Sequence, residues 1–373
     1  MQTSSDLSSV MADLQSPVQK RYAVAVLRLD NIGDHILGSG FFRGLRERLP
    51  QAEITALVSQ RTAQLYEVCP YINRCVHLPD ITLKGQDHQL IQQALAEVLT
   101  PLIGTFDLFV NPRVAWDYYN AGAVADILSA PRSVTFRQGD ELFDSCHTDL
   151  IDPPNGLHMA EYAGLLLRKM FGSEDLFPPE TWSHGIDSGI VQNKLLKMGW
   201  DGRTPLIILA PGASQLCRRW PPFRVMALIE GLVKAHQVQV VVVGDRAERK
   251  RYPLPRQIAQ TRLLDMRDYL SLSQLSECCR LATVFIGTDS GPKHIAAASG
   301  LQVIEINHLP ISSTMQLRES WPTGPLWAAY GVPTIQLQPI GDFSEIQIME
   351  GLSIAAVTER QVLEAVGERL PRR

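Results

Sequence analysis

The stretch AVAVLRLDNIGDHIL, residues 23–37, joins an apolar strand pattern to a helical pattern through a polar turn. Residues 23–29 are apolar except for Arg28 and are of strand length, and the turn Asp30–Gly33 follows directly. Apolar residues then recur at helical spacing as far as Leu49. A buried strand, a tight turn and an amphipathic helix predict the β-turn-α unit from which parallel sheets are built.

The same alternation extends along the rest of the chain. In the first half, strand patterns cover residues 23–29, 53–58, 74–78 and 106–110, and helical patterns cover 62–68, 88–99 and 117–128. In the second half, strand patterns cover residues 206–210, 239–243, 283–286 and 303–306, and helical patterns cover 223–235, 272–281, 292–299 and 358–370. This alternation predicts an α/β fold with two Rossmann-like parallel-sheet domains. We expect the two sheets to face a central cleft, where the ligands of such sheets bind.

The domain limits follow from length and composition. The chain has 373 residues, enough for about two domains of ordinary size. Residues 1–19 are rich in Ser, Gln and Asp, and we predict a disordered lead-in there. We place the first α/β domain at residues 20–175, a linker region rich in Pro and Gly at 176–200, and the second α/β domain at 201–373.

Charge and hydropathy exclude several classes of protein. Lys and Arg number 35 against 39 for Asp and Glu, a net charge of −4, so the sequence predicts no nucleic-acid partner. The longest apolar runs, such as residues 206–210, are strand-sized and far short of the roughly 18–20 residues that cross a bilayer. Because no signal-peptide pattern is present either, we expect a cytoplasmic protein.

The sequence predicts no cofactor and no metal. Gly38–Gly44 superficially resembles a dinucleotide-binding loop, but it falls inside a predicted helix, where small residues favour close packing against the sheet. The chain has no P-loop sequence, and its six cysteines form no Cys-x-x-Cys pair. It also lacks an Asp-x-Asp pair of the kind that holds a divalent ion on a sugar nucleotide.

Asp34 stands at the start of the first predicted helix, directly after Gly33. One interpretation is a carboxylate that caps the helix N-terminus. The other is a general base, because a carboxylate at the mouth of the cleft can accept a proton from a bound hydroxyl. The residues alone leave both interpretations open.

The segment PGASQLCRRWPP, residues 211–222, directly follows a predicted strand. Its small residues let the backbone approach a phosphate group, to which Ser214 can donate a hydrogen bond. Arg218 and Arg219 can neutralise a diphosphate, although a solvated arginine pair in a loop is the alternative. We predict phosphate contacts from Ser214, Arg218 and Arg219.

The segment GTDSGPKH, residues 287–294, also follows a predicted strand. Asp289 or Ser290 can cap a helix whose first turn contains Pro292, and the free amides and positive dipole end would then form an anion site. Lys293 and His294 would add donors, which capping alone does not require. The predicted anion-binding residues are Asp289, Ser290, Gly291, Lys293 and His294.

Two carboxylates, Asp245 and Glu248, follow the predicted strand at residues 239–243. In nucleotide-binding domains a carboxylate at this position commonly bonds the ribose hydroxyls. Either residue could do so, and exposure to solvent is an equally open alternative for each.

These motifs and their order resemble glycosyltransferase family 9. The family's opening strand, Gly-Asp turn and helix look like residues 24–49, and its Pro-Gly-Ala/Ser segment before Trp-Pro looks like residues 211–221. Its signature Asp-Ser/Thr-Gly-x-x-His-x-Ala-Ala-Ala is matched by residues 289–298. The resemblance extends over residues 22–370, with only the general pattern shared between residues 80 and 200.

The resemblance implies a GT-B architecture with an N-terminal acceptor-binding domain and a C-terminal nucleotide-sugar-binding domain. It implies inverting, metal-independent transfer of a heptose or related sugar, with ADP-heptose as the expected donor. The implied acceptor is a hydroxyl of a lipopolysaccharide core or another bacterial surface glycan. On matching positions, Asp34 is the base, Arg218 binds the diphosphate in the place where the family usually has Lys, and residues 289–294 anchor the diphosphate.

Other functions stay open at this point. A nucleotide-sugar epimerase of the same architecture would need no acceptor, and a non-catalytic protein would bind the sugar nucleotide without turnover. If the acceptor is a glycolipid, Arg43, Arg46 and Arg48 with Phe41 and Phe42 could contact the inner face of the cytoplasmic membrane. Core packing with a solvated basic face is the preferred interpretation of that helix.

Overall fold

The structure, a computed structural model, describes residues 21–79, 88–114, 117, 120–172, 175–259, 261–311 and 324–370. The predicted lead-in at residues 1–19 lies outside these ranges. Within them, no helix has both the length and the apolar character needed to cross a membrane. The chain divides after Glu180 into two compact units, and each is described by itself.

The first unit contains a parallel six-stranded sheet. Its strands are β1 (Ala23–Arg28), β2 (Glu53–Ser59), β3 (Arg74–Leu78), β4 (Leu108–Asn111), β5 (Arg132–Phe136) and β6 (Asp149–Ile151). They lie in the order β3-β2-β1-β4-β5-β6. The order reverses between β1 and β4, and parallel sheets bind ligands at the carboxyl ends of the strands at such a switch point. The residues that follow β1 and β4 are therefore the place to look for a site.

Short helices connect these strands. They are α1 (Ile32–Leu37), α2 (Gly40–Arg48), α3 (Ala63–Tyr66), α4 (His88–Leu99), α5 (Ala121–Leu128), α6 (Glu141–Ser145) and α7 (Met159–Phe171). Leu27 and Phe109, from the middle strands, and Leu95, from α4, belong to a core of fully buried apolar side chains. The strand-and-helix alternation predicted from the sequence is thus present, with β5 and β6 added to it.

The helix expected to run unbroken from the turn to Leu49 is interrupted at Gly38, where α1 ends. The predicted reason for the small residues is also corrected. A Cβ atom on Gly40 would collide with the Phe177 carbonyl, and one on Gly44 would collide with the Leu167 side chain. These glycines therefore allow close packing against α7 and the segment after it, rather than against the sheet.

The side chains of α2 decide between the two interpretations of its basic face. Phe41 and Phe42 are fully buried. Arg43 pairs with Glu180 at 3.0 Å, and Arg46 donates to the carbonyl oxygens of Tyr71 and Ala52 at 3.1 and 2.8 Å. Core packing of the two aromatic side chains is confirmed for this helix, whereas Arg43 and Arg46 bind acceptors within the protein instead of forming a solvated face.

The second unit contains another parallel six-stranded sheet. Its strands are β7 (Leu206–Ala210), β8 (Gln239–Val242), β9 (Leu263–Asp265), β10 (Val284–Thr288), β11 (Val303–Ile306) and β12 (Thr334–Leu337). They lie in the order β12-β11-β10-β7-β8-β9, so the switch point is between β10 and β7. Two six-stranded parallel sheets confirm the predicted fold class of two Rossmann-like α/β domains.

Eight α-helices accompany this sheet in the described part of the chain. They are α8 (Asp187–Lys197), α9 (Pro222–Ala235), α10 (Arg246–Arg251), α11 (Leu272–Leu281), α12 (Gly291–Ala298), α13 (Glu345–Met349), α14 (Leu352–Ala356) and α15 (Glu359–Arg369). Helix α8 falls within residues 176–200, where the sequence predicts a linker. Because Lys194 of α8 donates to Gln274 of α11 at 2.9 Å, this helix is part of the second unit.

Candidate active site

Asp34 lies in the first turn of α1, at the carboxyl end of β1. Asn31, with extended backbone angles, occupies the N-cap position of this helix. The interpretation of Asp34 as the N-cap is therefore wrong. Its side chain is half-buried and contributes to a pocket with Arg28, Arg113, Met159 and Tyr162. A carboxylate in such a pocket is placed to meet a bound group.

A buried ion cluster lies beside Asp34. Asp30 is only 2% exposed and faces two guanidinium groups, with Arg113 Nε at 2.7 Å and Arg28 Nη2 at 3.4 Å. Arg28 also donates to the backbone carbonyl of Asp34. Burial would raise the pKa of Asp30, but Arg28 and Arg113 outweigh it and lower that pKa. Asp30 is thus a fixed negative charge next to Asp34.

The surroundings give Asp34 an unusual basicity. Burial, together with the negative charge of Asp30, raises the pKa of Asp34 to about 7, against the opposing effect of Arg113 and Arg28. A catalytic base is most effective when its pKa is close to the working pH, because it is then both deprotonated and strongly basic. Asp34 can therefore both accept and hold a proton near neutral pH.

His35 and Tyr66 are not among the residues that line the pocket, and they support the turn and α1. His35 Nδ1 and the Tyr66 hydroxyl are 2.6 Å apart, and His35 Nε2 is 3.0 Å from the Asp30 carbonyl oxygen. Burial, aided by the charge of Arg28, lowers the pKa of His35 to about 3. A neutral imidazole adds no charge to the cluster, so His35 acts here as a support for the turn.

In the second unit, the loop after β7 is shaped by Arg219. Its Nε donates to the Ala213 carbonyl at 2.8 Å, and its Nη2 donates to the Ser214 carbonyl. The Ser214 side chain is exposed. This guanidinium holds the loop that presents Ser214 and Arg218. Because these contacts leave further N–H donors of Arg219 over, its predicted contact with a phosphate stays a prediction.

Arg218 reaches the start of α12, where Asp289 lies. Arg218 Nη1 is 3.1 Å from Asp289 Oδ2, and the Arg218 side chain keeps 24% of its surface exposed. Burial would raise the pKa of Asp289, but Lys293 and Arg218 outweigh it and hold the pKa well below its usual range. An ionised Asp289 repels a phosphate, so its predicted role as a direct ligand is revised to that of a group that orients Arg218.

Lys293 lies beneath this pair with no exposed surface. Its ammonium donates to Asp289 Oδ1 at 2.7 Å, Glu305 Oε1 at 3.0 Å and the Trp327 carbonyl at 2.8 Å. An ammonium group has three N–H donors, and these contacts use all of them. The prediction that Lys293 binds the anion is therefore corrected: it is an internal cation that fixes Asp289.

The N-terminus of α12 lacks the side-chain cap that the sequence predicts. Ser290 occupies the N-cap position with an extended backbone, but its hydroxyl donates to the Thr288 carbonyl at 3.3 Å and makes no side-chain cap. Gly291 is half-buried and His294 is buried in the first turn. Without an acidic cap, the positive end of the helix dipole stays available to an anion at this end.

The structure gives Asp245 and Glu248 different roles. Asp245 is the N-cap of α10, and its carboxylate accepts from the Glu248 backbone amide at 2.8 Å. The Glu248 carboxylate packs so closely against Gly212 and Gly244 that a Cβ atom on either glycine would collide with it. Burial and the charge of Asp245 raise the pKa of Glu248 to about 7. Glu248 thus presents a carboxyl group at the ends of β7 and β8, close to the loop that holds Ser214.

Comparison with known proteins finds a family model that matches part of the chain. Residues 124–307 match the model of "Glycosyltransferase family 9 (heptosyltransferase)". That match spans both the segment at 211–221 and the signature at 289–298. Over residues 124–307, just under half of the chain, the protein is similar to glycosyltransferase family 9. With the heptosyltransferase relatives, this match indicates that the protein is a glycosyltransferase.

Three relatives of this glycosyltransferase show how far the similarity extends. Lipopolysaccharide heptosyltransferase 3 of Escherichia coli (strain K12) is 24% identical over 281 residues, or 74% of this chain and 79% of that protein. The structure of the family 9 glycosyl transferase from Veillonella parvula DSM 2008 has a TM-score of 0.74 at 17% identity and covers 93% of this chain and 96% of its own. The structure of E. coli ADP-heptose lps heptosyltransferase II has a TM-score of 0.66 at 18% identity. The match covers 93% of this chain and 98% of that one. The structural likeness shows the shared GT-B fold.

The sequence pattern gives no role to three residues of the candidate site in the first unit. It places Asp30 in the turn and assigns nothing to Arg28 or Arg113. The available signal was positional: Asp30 follows β1 and Arg113 follows β4, and these strands are neighbours in the sheet. The candidate site of the first unit lies around Asp34, and that of the second unit lies around Arg218, Glu248 and the start of α12.

Proposed function

We propose that this enzyme transfers a heptose or related sugar from a nucleotide-diphosphate donor to a hydroxyl of a lipopolysaccharide core or another surface glycan. The proposed donor is ADP-heptose, and the proposed transfer is inverting and independent of a metal ion. The names of the two E. coli relatives, a lipopolysaccharide heptosyltransferase and an ADP-heptose lps heptosyltransferase, support this choice of donor and acceptor.

The observation that carries the proposal is the arrangement at the carboxyl ends of β7, β8 and β10. Arg218 and the N-terminus of α12 offer positive charge to a diphosphate. Glu248, from the end of β8, offers a carboxyl group to ribose hydroxyls. The Thr288 hydroxyl donates to the Gly212 carbonyl at 3.1 Å, which joins the loop after β7 to the start of α12.

The reaction follows from these groups. The Asp34 carboxylate takes the proton of the acceptor hydroxyl while that oxygen forms a bond to the anomeric carbon. The bond from the anomeric carbon to the diphosphate oxygen breaks, and the nucleoside diphosphate leaves with the electron pair. One displacement at the anomeric carbon inverts its configuration. Arg218 and the amides at the start of α12 stabilise the charge that develops on the leaving diphosphate.

The donor half is tested by thermal stabilisation. We expect ADP at about a hundred times its dissociation constant to stabilise the protein by roughly 2.7 kcal/mol, and more strongly than UDP, GDP or CDP. Arg218→Ala should lose that stabilisation, whereas Arg360→Ala, which removes an exposed arginine of the same unit, should keep it. A shift with another nucleotide would replace ADP in the proposal, and no shift with any of the four would contradict a nucleotide-diphosphate donor.

A pair of substitutions distinguishes the roles of Asp245 and Glu248, the two carboxylates after β8. We expect Glu248→Gln to weaken ADP binding roughly tenfold, the loss of a charge-assisted hydrogen bond to ribose, with little effect on the melting temperature. Asp245→Ala should instead cost about 1 kcal/mol of stability, because it removes the cap of α10. Isothermal titration and thermal unfolding of both variants check this, and unchanged ADP affinity in Glu248→Gln would remove Glu248 from the donor site.

Turnover distinguishes the proposal from its alternatives. With donor and a glycan acceptor, the product should be a glycoside of inverted configuration, and its rate should not change on addition of EDTA. An epimerase would convert the donor sugar without an acceptor, and a non-catalytic binder would give neither product. A loss of rate in EDTA that a divalent ion restores would contradict metal independence.

A further inference from the structure

The cluster around Asp34 contains a carboxylate that the proposed reaction does not use. Asp30 is 2% exposed, lies on the turn between β1 and α1, and has Arg113 Nε at 2.7 Å and Arg28 Nη2 at 3.4 Å. Keeping a carboxylate buried is costly unless it is paired, and a structural turn of this kind has no need of one. Its position next to Asp34 suggests what it does.

Both guanidinium groups of the cluster also act on Asp34. Arg28 donates to the Asp34 carbonyl, and Arg113 and Arg28 each favour the ionised form of its carboxyl group. Two cations beside a catalytic carboxylate weaken it as a base, because they stabilise the form that has lost its proton. Asp30 pairs with these same cations, which reduces their stabilisation of the ionised Asp34. Its own negative charge also disfavours that ionised form, so Asp30 makes Asp34 a stronger base.

We propose that Asp30 is a positioning residue that sets the basicity of Asp34, by engaging the Arg28 and Arg113 guanidinium groups and by placing a second negative charge beside the base. Asp30 reaches no substrate atom in this role and acts only through Asp34. The inference rests on the proposed function to the extent that Asp34 is the base of the transfer reaction.

The groups that face Asp34 come from every element packed against it. Arg28 belongs to β1, Asp30 to the turn, Arg113 to the segment after β4, and Tyr162 to α7. The Tyr162 hydroxyl is already occupied, because it donates to the Pro154 carbonyl at 2.7 Å. Because the neutral His35 adds no charge, the balance at Asp34 is between one carboxylate and two guanidinium groups.

The test measures the titration of Asp34 directly. In protein labelled with ¹³C at the aspartate carboxyl carbons, the Asp34 resonance is the one missing from Asp34→Asn. We expect its midpoint near pH 7 in the unaltered protein. Asp30→Asn should lower the midpoint by roughly 1–3 pH units, and Arg113→Gln should raise it. The pH profile of kcat/KM should move in the same directions.

Opposite shifts in the two variants are the result that a merely structural role would not produce. Asp152→Asn is the matched control, since it removes a carboxylate paired with Arg137 at 2.7 Å on the exposed surface of the same unit, and should leave the midpoint unchanged. If Asp30→Asn does not fold, the double variant Asp30→Asn/Arg113→Gln, which removes both members of the pair, takes its place and should have a lower midpoint than Arg113→Gln. An unmoved Asp34 midpoint in the folded variants overturns the inference, whereas transfer activity in Asp34→Asn overturns the proposed function and leaves the titration result standing.

Discussion

Asp34→Asn should lower the rate of sugar transfer by about 10²–10⁴-fold, the usual contribution of a positioned general base. An amide of the same shape cannot accept the proton of the acceptor hydroxyl, while the fold around α1 stays intact. The measurement is kcat with saturating donor and acceptor. Stabilisation by ADP should be unchanged, because the donor groups Arg218 and Glu248 belong to the other unit.

The pH dependence gives this prediction a definite sign. The pKa of Asp34 is raised to about 7, so kcat/KM of the unaltered enzyme should rise through pH 7 as the carboxyl group ionises. The same shift means that the folded state holds a proton more tightly than the unfolded chain between about pH 4 and 7. Asp34 therefore makes the free energy of unfolding fall as pH rises through that window, and the stability of Asp34→Asn relative to the unaltered protein should increase.

Two results would contradict the role of Asp34. One is a rate in Asp34→Asn within tenfold of that of the unaltered enzyme, which would place the base elsewhere. The other is the loss of ADP stabilisation in a folded Asp34→Asn, which would make Asp34 part of the donor site. Asp144→Asn provides a comparison, because its carboxylate accepts from the Gln138 and Gly139 amides in a turn of the same unit and should affect stability without affecting the pH profile.

The elements that sequence reasoning found are those whose signals are local. The turn Asp30–Gly33 and the start of α12 each combine a strand, a breaker and a helix within about ten residues, so short-range patterns suffice to locate them. Strands β5 and β6 were missed because Arg132–Phe136 mixes polar and apolar residues and Asp149–Ile151 has three residues. The pairing of β5 with β4, and of β6 with β5, supplies the order that the local pattern lacks.

The sequence predicts only those site residues whose chemical type and place beside a strand end can be recognised within one motif. Asp34 and Arg218 could be named because each stands next to a strand end. The ion pair between Asp30 and Arg113 joins residues more than eighty positions apart, and only the adjacency of β1 and β4 brings them together. The place of Lys293 in the first turn of a helix predicts an anion contact, but its burial against Glu305 and Trp327 depends on tertiary structure that no spacing reveals.

The correction at Lys293 leads to the second prediction of large effect. Burial opposes the charge of Lys293, yet Glu305 and Asp289 outweigh it and raise its pKa. Lys293→Met would leave these carboxylates buried without their cation, and breaking a buried pair in this way typically costs about 3–5 kcal/mol. For a domain of this size the midpoint of thermal unfolding should fall by roughly 6–20 °C. Scanning calorimetry of the whole chain measures it.

A second substitution shows whether charge, rather than lost packing, causes that loss. Glu305→Gln in the Lys293→Met background removes one of the two stranded carboxylates and keeps the shape that accepts from Asn307 at 2.9 Å, so part of the stability should return. Lys250→Met, on the exposed face of α10, is the matched control and should change the midpoint by little. Because Lys293 also fixes Asp289, and Asp289 orients Arg218, folded Lys293→Met should bind ADP more weakly. A double variant no more stable than Lys293→Met would instead attribute the loss to packing.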